Sequence, residues 1–108
     1  MCAVYVDDMK AKFKPKHRPG RTYILSHMIA DTEEELHAMA AKIGVARSWY
    51  QGDHYDVTQS CKAKALKAGA VQITWRMCSV MAMNRRCGLP MGTPETAVAI
   101  AAERRSRR

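Results

Sequence analysis

Acidic and imidazole side chains stand at or near the ends of the segments that resemble β-strands. These candidates are Asp7, Asp8, His27, Asp31, His54 and Asp56. Two or three carboxylates together with an imidazole can hold a divalent metal ion and activate a water molecule. The same groups can act as general acid and general base where their surroundings shift their pKa values. We therefore treat all of them as candidate catalytic residues, and Asp7, His27 and Asp31 also as candidate metal ligands.

Most of these side chains also have a structural explanation. Asp31 can cap the helix that follows it, and His27, on an otherwise apolar face, has the position of a hydrogen-bonded core residue. We expect His37 to be an exposed helix residue paired with Glu33. Asp7 fits a structural explanation least well, because an acid at the end of a buried strand must find a partner. The catalytic interpretation requires that these groups meet in space, and no HExxH or phosphate-loop motif supplies that link.

Strand and helix patterns predict how the chain positions these groups. Residues 3–7 and 22–30 have the alternation and side-chain types of strands, and the second is apolar on both faces, as central strands are. A capping box within residues 31–35 predicts a helix that Gly44 ends. Ligands of open α/β sheets bind where strand ends meet, so the candidates are expected to line one crevice.

The remainder of the chain predicts further helices and short strands. Thr58 or Ser60 caps a second helix, and residues 70–74 form another strand. Two more helices begin near Trp75 and near Pro94. This order predicts an α/β or α+β fold, with a small mixed sheet of about four strands, helices packed on it and a C-terminal helical extension.

The length and composition favour one small domain. We expect the 108 residues to form an α/β core domain over 1–76 and a basic helical extension of that domain over 77–108. Eight Met and one Phe predict a modest core, which a homodimer partner would help to complete. No apolar run is long enough to span a bilayer and no secretion signal is present, which predicts a cytoplasmic protein without a membrane partner. The cysteines show no CxxC spacing, so we expect free thiols at Cys2, Cys61, Cys78 and Cys87.

Positive charge is concentrated in two regions of this chain, whose net charge is +8. The first is an expected exposed loop containing Lys10, Lys12, Lys14, Lys16, Arg18 and Arg21. The second is the C-terminal end, with Arg104, Arg105, Arg107 and Arg108. Clustered cations attract polyanions, so nucleic acid or an acidic protein is a reasonable partner. The alternative is a solvated loop and tail that only keep the protein soluble.

Aromatic and hydrogen-bonding side chains are concentrated after the first predicted helix. Arg47, Trp49, Tyr50 and Gln51 suit stacking on a nucleobase and recognition of its edge. They equally suit a protein interface anchored by Trp, Tyr and Arg. A third interpretation buries Trp49 and Tyr55 in the core and leaves the others around a turn.

Several short motifs follow one another in a characteristic order. They include Val4-Tyr5-Val6-Asp7-Asp8-Met9, Ser26-His27-Met28-Ile29-Ala30-Asp31, Glu34-Glu35-Leu36-His37, Arg47-Ser48-Trp49-Tyr50-Gln51 and His54-Tyr55-Asp56-Val57. Together they resemble the uncharacterised family known as domain of unknown function 4031, over roughly residues 3–76. The resemblance implies a bacterial or phage origin and no particular activity. Two regions depart from it, because the basic segment 10–21 looks longer than the usual connection and the C-terminal helices lie outside the match.

Three functions are compatible with these patterns. The first is binding of nucleic acid or a nucleotide, with the two basic regions on phosphates and Arg47, Trp49 and Tyr50 on bases. The second is a metal-dependent hydrolase or nuclease that uses the Asp and His candidates with a divalent metal. The third is a phage regulator or inhibitor that acts by surface contact with a host protein.

Overall fold

The computed structural model describes residues 3–106. Within that range the strands are β1 (Val4–Val6), β2 (Ala11–Phe13), β3 (Tyr23–Ala30), β4 (Tyr55–Thr58) and β5 (Val71–Gln72). The helices are α1 (Glu33–Ile43), α2 (Gln59–Lys67), α3 (Trp75–Arg86) and α4 (Ala97–Ser106), with a short 3-10 turn at Arg47–Trp49. The expected mixed α/β class is confirmed, with five strands in the described part of the chain. None of the described helices is long and apolar enough to cross a membrane.

The longest strand, β3, organises the sheet. β1 and β2 pair antiparallel with successive parts of one of its edges, with Val6 opposite Met28 and Ala11 opposite Leu25. β4 pairs antiparallel with the other edge, where it meets both Leu25 and Met28. β5 extends the sheet beyond β1 as a parallel neighbour. β3 is therefore hydrogen-bonded on both sides, as its apolar faces predict.

Threonine caps fix where the helices begin. The hydroxyl of Thr32 accepts a hydrogen bond from the Glu35 N–H at 3.2 Å, and Gly44, at φ +83°, ends α1 in the left-handed conformation that glycine adopts readily. Both ends of α1 were predictable from these residues. Thr58 and Thr74 cap α2 and α3 in the same way.

Helices cover the two faces of the sheet and form two core layers. On one face, α1 and α2 pack against a buried layer that includes Val6, Met28, Tyr55 and Val57. On the other face, Tyr5 and Ile29 pack against Cys78 and Met81 of α3, together with Met91 and Ala97. Residues beyond 76 thus supply much of the second core layer.

The basic segment differs from its predicted structure. An exposed loop throughout residues 10–21 is wrong for Ala11–Phe13, which form β2, and Pro15 is buried. Ala11 and Phe13 alternate with lysines at the period of two residues that is typical of a strand, and Phe13 pairs with Tyr23 of β3. The charge of the lysines conceals this alternation in the sequence.

Candidate metal centre

Asp7 fills a gap in the sheet. β1 ends at Val6 and β2 begins at Ala11, so neither strand is paired with β3 at His27. The chain leaves β1 there, and the Asp7 carboxylate takes over the role of a backbone acceptor. Its Oδ1 accepts hydrogen bonds from the N–H groups of His27, at 2.8 Å, and of Met9, at 3.1 Å. The carboxylate is fully buried, which is why it needs these donors.

The same carboxylate orients the His27 ring. Asp7 Oδ2 lies 2.8 Å from His27 Nδ1, so the proton of that nitrogen points toward Asp7 and Nε2 points away. Burial acts to raise the pKa of Asp7, but the hydrogen bonds from His27 and Met9 outweigh it and the pKa is lowered. The pKa of His27 is raised, chiefly by its hydrogen bond to Asp7, against the effect of burial.

Two further groups meet the exposed side of His27. The register of β3 and β4 places Asp56 opposite His27, and Asp56 Oδ1 lies 3.7 Å from His27 Nε2. The chain turns at Gly52 and brings His54 back to the same place, so that His54 Nε2 lies 3.6 Å from the same Oδ1 atom. The two imidazole rings have centroids 5.3 Å apart and are nearly perpendicular.

Further hydrogen bonds hold the atoms of His54 and Asp56 that point away from His27. His54 Nδ1 lies 2.6 Å from Asp53 Oδ1, and Asp53 Oδ2 accepts a hydrogen bond from Arg86 Nε at 2.6 Å. The Gln51 amide donates to Asp56 Oδ2. Burial acts to raise the pKa of Asp53, but the hydrogen bonds from Arg86 and His54 lower it overall.

A cleft of about 270 Å³ gives access to these groups between the sheet and α3. His27 and His54 form one wall, and the α3 residues Cys78, Ser79, Met83 and Arg86 line the other. Burial, with the nearby Asp7 charge, raises the pKa of the Cys78 thiol to about 12, so the thiol is neutral at physiological pH. Cys78 forms a second possible ligand set with Asp7 and His27, but both of its partners in the sheet are already bonded to each other.

The cluster has the composition of a metal centre. His27, His54 and Asp56 each offer one ligand atom, and these atoms all lie within 4.8 Å of one another. Two imidazoles with one carboxylate form a recurrent ligand set for zinc and for other first-row metals. Because the three residues are partly exposed, a position on the metal would remain for water or substrate.

Comparison with known proteins places the chain in a family. The profile of the family described as protein of unknown function (DUF4031) matches residues 4–87. The chain belongs to this family. No curated protein and no solved structure matches it at a significant level. The family range extends past residue 76, where the resemblance read from the sequence ended, so it contains all of α3 and the cluster of His27, His54 and Asp56, whereas α4 lies outside it.

Two predicted site residues of this DUF4031 protein lie away from the cluster. Asp8 Oδ1 accepts a hydrogen bond from the Trp75 N–H at 2.6 Å and so holds the beginning of α3. Asp31 Oδ2 accepts from the Ala3 N–H at 2.7 Å. Asp31 follows the last residue of β3 and lies four residues beyond His27, roughly 13 Å along the strand direction, too far to share a metal with it. Of the three residues predicted as metal ligands, His27 lies in a possible ligand set with His54 and Asp56, Asp7 lies in a second one with His27 and Cys78, and Asp31 lies in neither of these sets of described residues.

The residues expected to contact nucleic acid divide into separate groups. The cations Lys10, Lys12, Lys14, Lys16, Arg18 and Arg21 are exposed, as is Arg47. Trp49 is 45% exposed and meets Phe13 edge to face, whereas Tyr55 is buried. Tyr50 packs against His37, and Gln51 holds Asp56. In the C-terminal region, Arg107 and Arg108 lie outside the described residues.

His37 has a structural role on the opposite face of the sheet. The predicted pairing with Glu33 is confirmed, at 3.2 Å. The prediction of an exposed side chain is wrong, because the ring is only 12% exposed and its Nδ1 lies 2.7 Å from the hydroxyl of the buried Tyr55. Among the cysteines, Cys61, Cys78 and Cys87 are free, as expected, and Cys2 lies outside the described residues.

The sequence did not indicate three residues of the centre. Asp53 directly precedes His54, and this adjacent acid–imidazole pair was a signal that could have been used. Arg86 and Cys78 lie on α3, far along the chain from His27 and His54. Only the packing of α3 on the sheet brings them to the cleft, and no spacing in the sequence encodes that contact.

Proposed function

We propose that this protein is a metal-dependent hydrolase whose metal is held by His27 Nε2, His54 Nε2 and Asp56 Oδ1. One observation carries the proposal. Two imidazoles that line the cleft bring their Nε2 atoms to within 3.7 and 3.6 Å of one oxygen of the partly exposed Asp56 carboxylate. These separations are close to those between ligands that share one metal ion, so a small inward movement completes the set.

The outer partners support this assignment. Each metal-binding imidazole in a protein commonly donates its second N–H to a carboxylate, which fixes the ring and makes the ligand nitrogen more basic. His27 does so to Asp7 and His54 to Asp53. Gln51 in turn holds the second oxygen of Asp56. All three ligands are thus oriented before a metal binds, which reduces the cost of ordering them.

The chemistry follows from an open position on the metal. A metal ion held by three protein ligands keeps a site for water and lowers the pKa of that water to about 7. A metal ion held by His27, His54 and Asp56 would thus supply activated water for the hydrolysis of an ester, in which the water oxygen would add to the electrophilic centre and the leaving oxygen would depart with a proton from that water. Arg86 lines the same cleft with a half-exposed side chain, and its cation stabilises negative charge that develops on the substrate. This favours phosphate esters as substrates.

Metal titration tests the proposal directly. Isothermal titration with Zn²⁺, Mn²⁺ and Fe²⁺ on chelator-treated protein is expected to show one site per chain for at least one of them. His54→Gln and Asp56→Asn are expected to weaken binding by a hundredfold or more, because each removes a ligand. His37→Gln is the matched control, since that histidine lies on the other face of the sheet. Equal binding by all three variants and the unaltered protein would contradict the proposal.

Hydrolysis provides the second test. The metal-loaded protein is expected to cleave bis(p-nitrophenyl) phosphate, and the ligand variants are expected to lose that activity while His37→Gln keeps it. Metal binding at the centre without cleavage of this or any other activated phosphate ester would limit the function to metal binding.

A further inference from the structure

A second hollow adjoins the metal centre at Asp56 and lies along the β4 edge of the sheet. Its volume is about 400 Å³, within the range of sites for small ligands. The aromatic hollow, as we name it, is lined on one side by Phe13, Arg18, Tyr23, Leu25 and Trp49, and on the side of α1 and α2 by residues that include Val45, Val57 and Cys61. Asp56, which contributes the carboxylate of the metal centre, also lines it.

The strand register explains why the two sites are continuous. Tyr23, Leu25 and His27 are alternate residues of β3, so their side chains stand on one face. Phe13 lies opposite Tyr23, and Asp56 lies opposite His27. The face therefore leads from the aromatic hollow to the metal centre over about 13 Å, four residues of strand.

The side chains of the hollow suit a nucleobase. Trp49 is 45% exposed although it is the largest aromatic side chain, and it meets Phe13 edge to face at 6.1 Å, so part of its ring remains open. Flat exposed rings of this kind are platforms on which bases stack. A guanidinium lies within reach, because Arg18 contacts the hydroxyl of Tyr23 at 3.5 Å.

The charge around the hollow suits phosphates. Residues 9–30 contain six Lys and Arg and no Asp or Glu, and all six cations are exposed. Asp56 is the one carboxylate among the described residues that line the hollow. A metal ion on Asp56 would offset its charge, so the metal centre and the hollow would attract a phosphate together.

We propose that the aromatic hollow binds a nucleotide unit of single-stranded nucleic acid and presents the adjoining phosphodiester to the His27–His54–Asp56 centre. This inference rests on the proposed function for the placement of the phosphodiester, and it names the substrate class of that centre. Trp49 and Phe13 receive a base, and Arg18 receives a phosphate. A single strand fits better than a duplex, because only an unpaired base can stack in the hollow.

Fluorescence of Trp49 tests the contact. The protein has two Trp, so Trp75→Phe leaves Trp49 as the reporter. In low salt and EDTA, oligothymidylate is expected to quench Trp49, with tighter binding than thymidine 5′-monophosphate or a duplex of the same length. Equal affinity for the mononucleotide would overturn the assignment of a strand, and stronger binding of the duplex or an absence of quenching would overturn the hollow as a base site.

Variants identify the residues responsible, with binding followed by anisotropy of a labelled oligothymidylate. Trp49→Leu is expected to weaken binding by about tenfold or more, as loss of a stacking platform does. Arg18→Gln is expected to reduce the slope of log affinity against log salt by about 0.7, the value for one phosphate contact on a single strand. Lys67→Gln removes an exposed cation from α2 and is the charge-matched control. Equal reductions of the salt slope by Arg18→Gln and Lys67→Gln would overturn the assignment of Arg18 as a phosphate contact.

His54→Gln separates this inference from the proposed function. The variant loses a metal ligand, and His54 does not line the aromatic hollow, so strand binding in EDTA is expected to be unchanged. Quenching of Trp49 by the strand, together with a failure of the unaltered protein to bind any metal in the titration, would support the hollow and refute the metal-dependent hydrolase. Metal binding without quenching would refute the hollow and leave the hydrolase standing.

Discussion

His27 and His54 have equivalent surroundings, although His27 lies within β3 and His54 lies in the turn before β4. Each ring directs Nδ1 to a carboxylate, Asp7 or Asp53, and directs Nε2 to Asp56 Oδ1. Two equivalent acid–imidazole pairs aimed at one oxygen atom are the arrangement that ligand orientation requires.

Asp53→Asn is expected to weaken metal affinity by about 10–100-fold, the usual effect of losing an outer-shell carboxylate. The ligand atoms themselves remain, so the stoichiometry should stay at one metal per chain. Competition with a chromophoric chelator measures the change. Glu34→Gln, an exposed acid on α1, is the control for the altered net charge. An unchanged affinity in Asp53→Asn would refute the role given to this acid.

The Asp7–His27 pair predicts the pH dependence of stability in the metal-free protein. The pKa of Asp7 is lowered from 3.8, so its contribution is present above that value and is lost as the pH falls through the folded pKa. The pKa of His27 is raised from 6.5, so its contribution is complete below 6.5 and is lost as the pH rises through the folded pKa. The charges that also face His27 are Asp56, which adds to the rise, and Arg86, which opposes it.

Asp7→Asn is therefore expected to cost about 1–3 kcal/mol in the free energy of unfolding, because a buried acceptor is weakened. The difference in the free energy of unfolding between Asp7→Asn and the unaltered protein should be largest between pH 4 and 6.5 and should become smaller at higher pH. Urea unfolding in EDTA across this range measures it. A difference that does not vary with pH would show that the pair does not titrate as described.

Among the strands and helices, β3 positions the site, and only some of its features could be predicted from the sequence. Its apolar faces, the caps at Thr32 and Gly44 and the period of α1 were readable, because each depends on local spacing. The register that sets His27 opposite Asp56 was not, since it depends on pairing between segments far apart in the chain. The distance between Asp31 and His27 was not readable from the motifs either, because a position near a strand end does not show which end of the strand faces the cleft.

Asn84 links α3 to the segment that leads into α4. It is fully buried, and its amide donates to the carbonyl oxygens of Met91, at 3.2 Å, and Ala97, at 3.1 Å. Asn84→Ala leaves both buried acceptors without this donor and is expected to cost about 1–3 kcal/mol. Val98→Ala, at an exposed position of α4, is the control. A lower free energy of unfolding, with an unchanged dependence of that free energy on urea concentration, would confirm the loss. Equal stability of both variants would refute the role of Asn84.

At the scale of the whole molecule, the second face of the sheet has two different parts. Over β1 and Ile29 of β3 it is closed by α3 and by Met91 and Ala97, and from His27 toward Tyr23 and over β4 it stays open as the cleft and the aromatic hollow. The closed part includes residues beyond 87, outside the family range, yet they are as buried as the family core. We infer that the segment ending in α4 stabilises the wall of the site.

Paired methionine variants test this division. Met91 is 5% exposed within the core layer, so Met91→Ala is expected to cost about 2–5 kcal/mol in the free energy of unfolding. Met83 is 41% exposed at the cleft, so Met83→Ala is expected to change it by less than about 0.5 kcal/mol. Thermal or urea unfolding compares the two. Similar losses in both variants would contradict the described packing of this face.

A crystal structure of the protein grown or soaked with Zn²⁺, with anomalous data collected at the zinc edge, shows whether His27, His54 and Asp56 hold a metal ion. We expect one strong anomalous peak bounded by His27 Nε2, His54 Nε2 and Asp56 Oδ1, with Zn–N distances of about 2.0–2.1 Å. A peak at other residues, or His27 and His54 unmoved and without metal at saturating zinc, would contradict it.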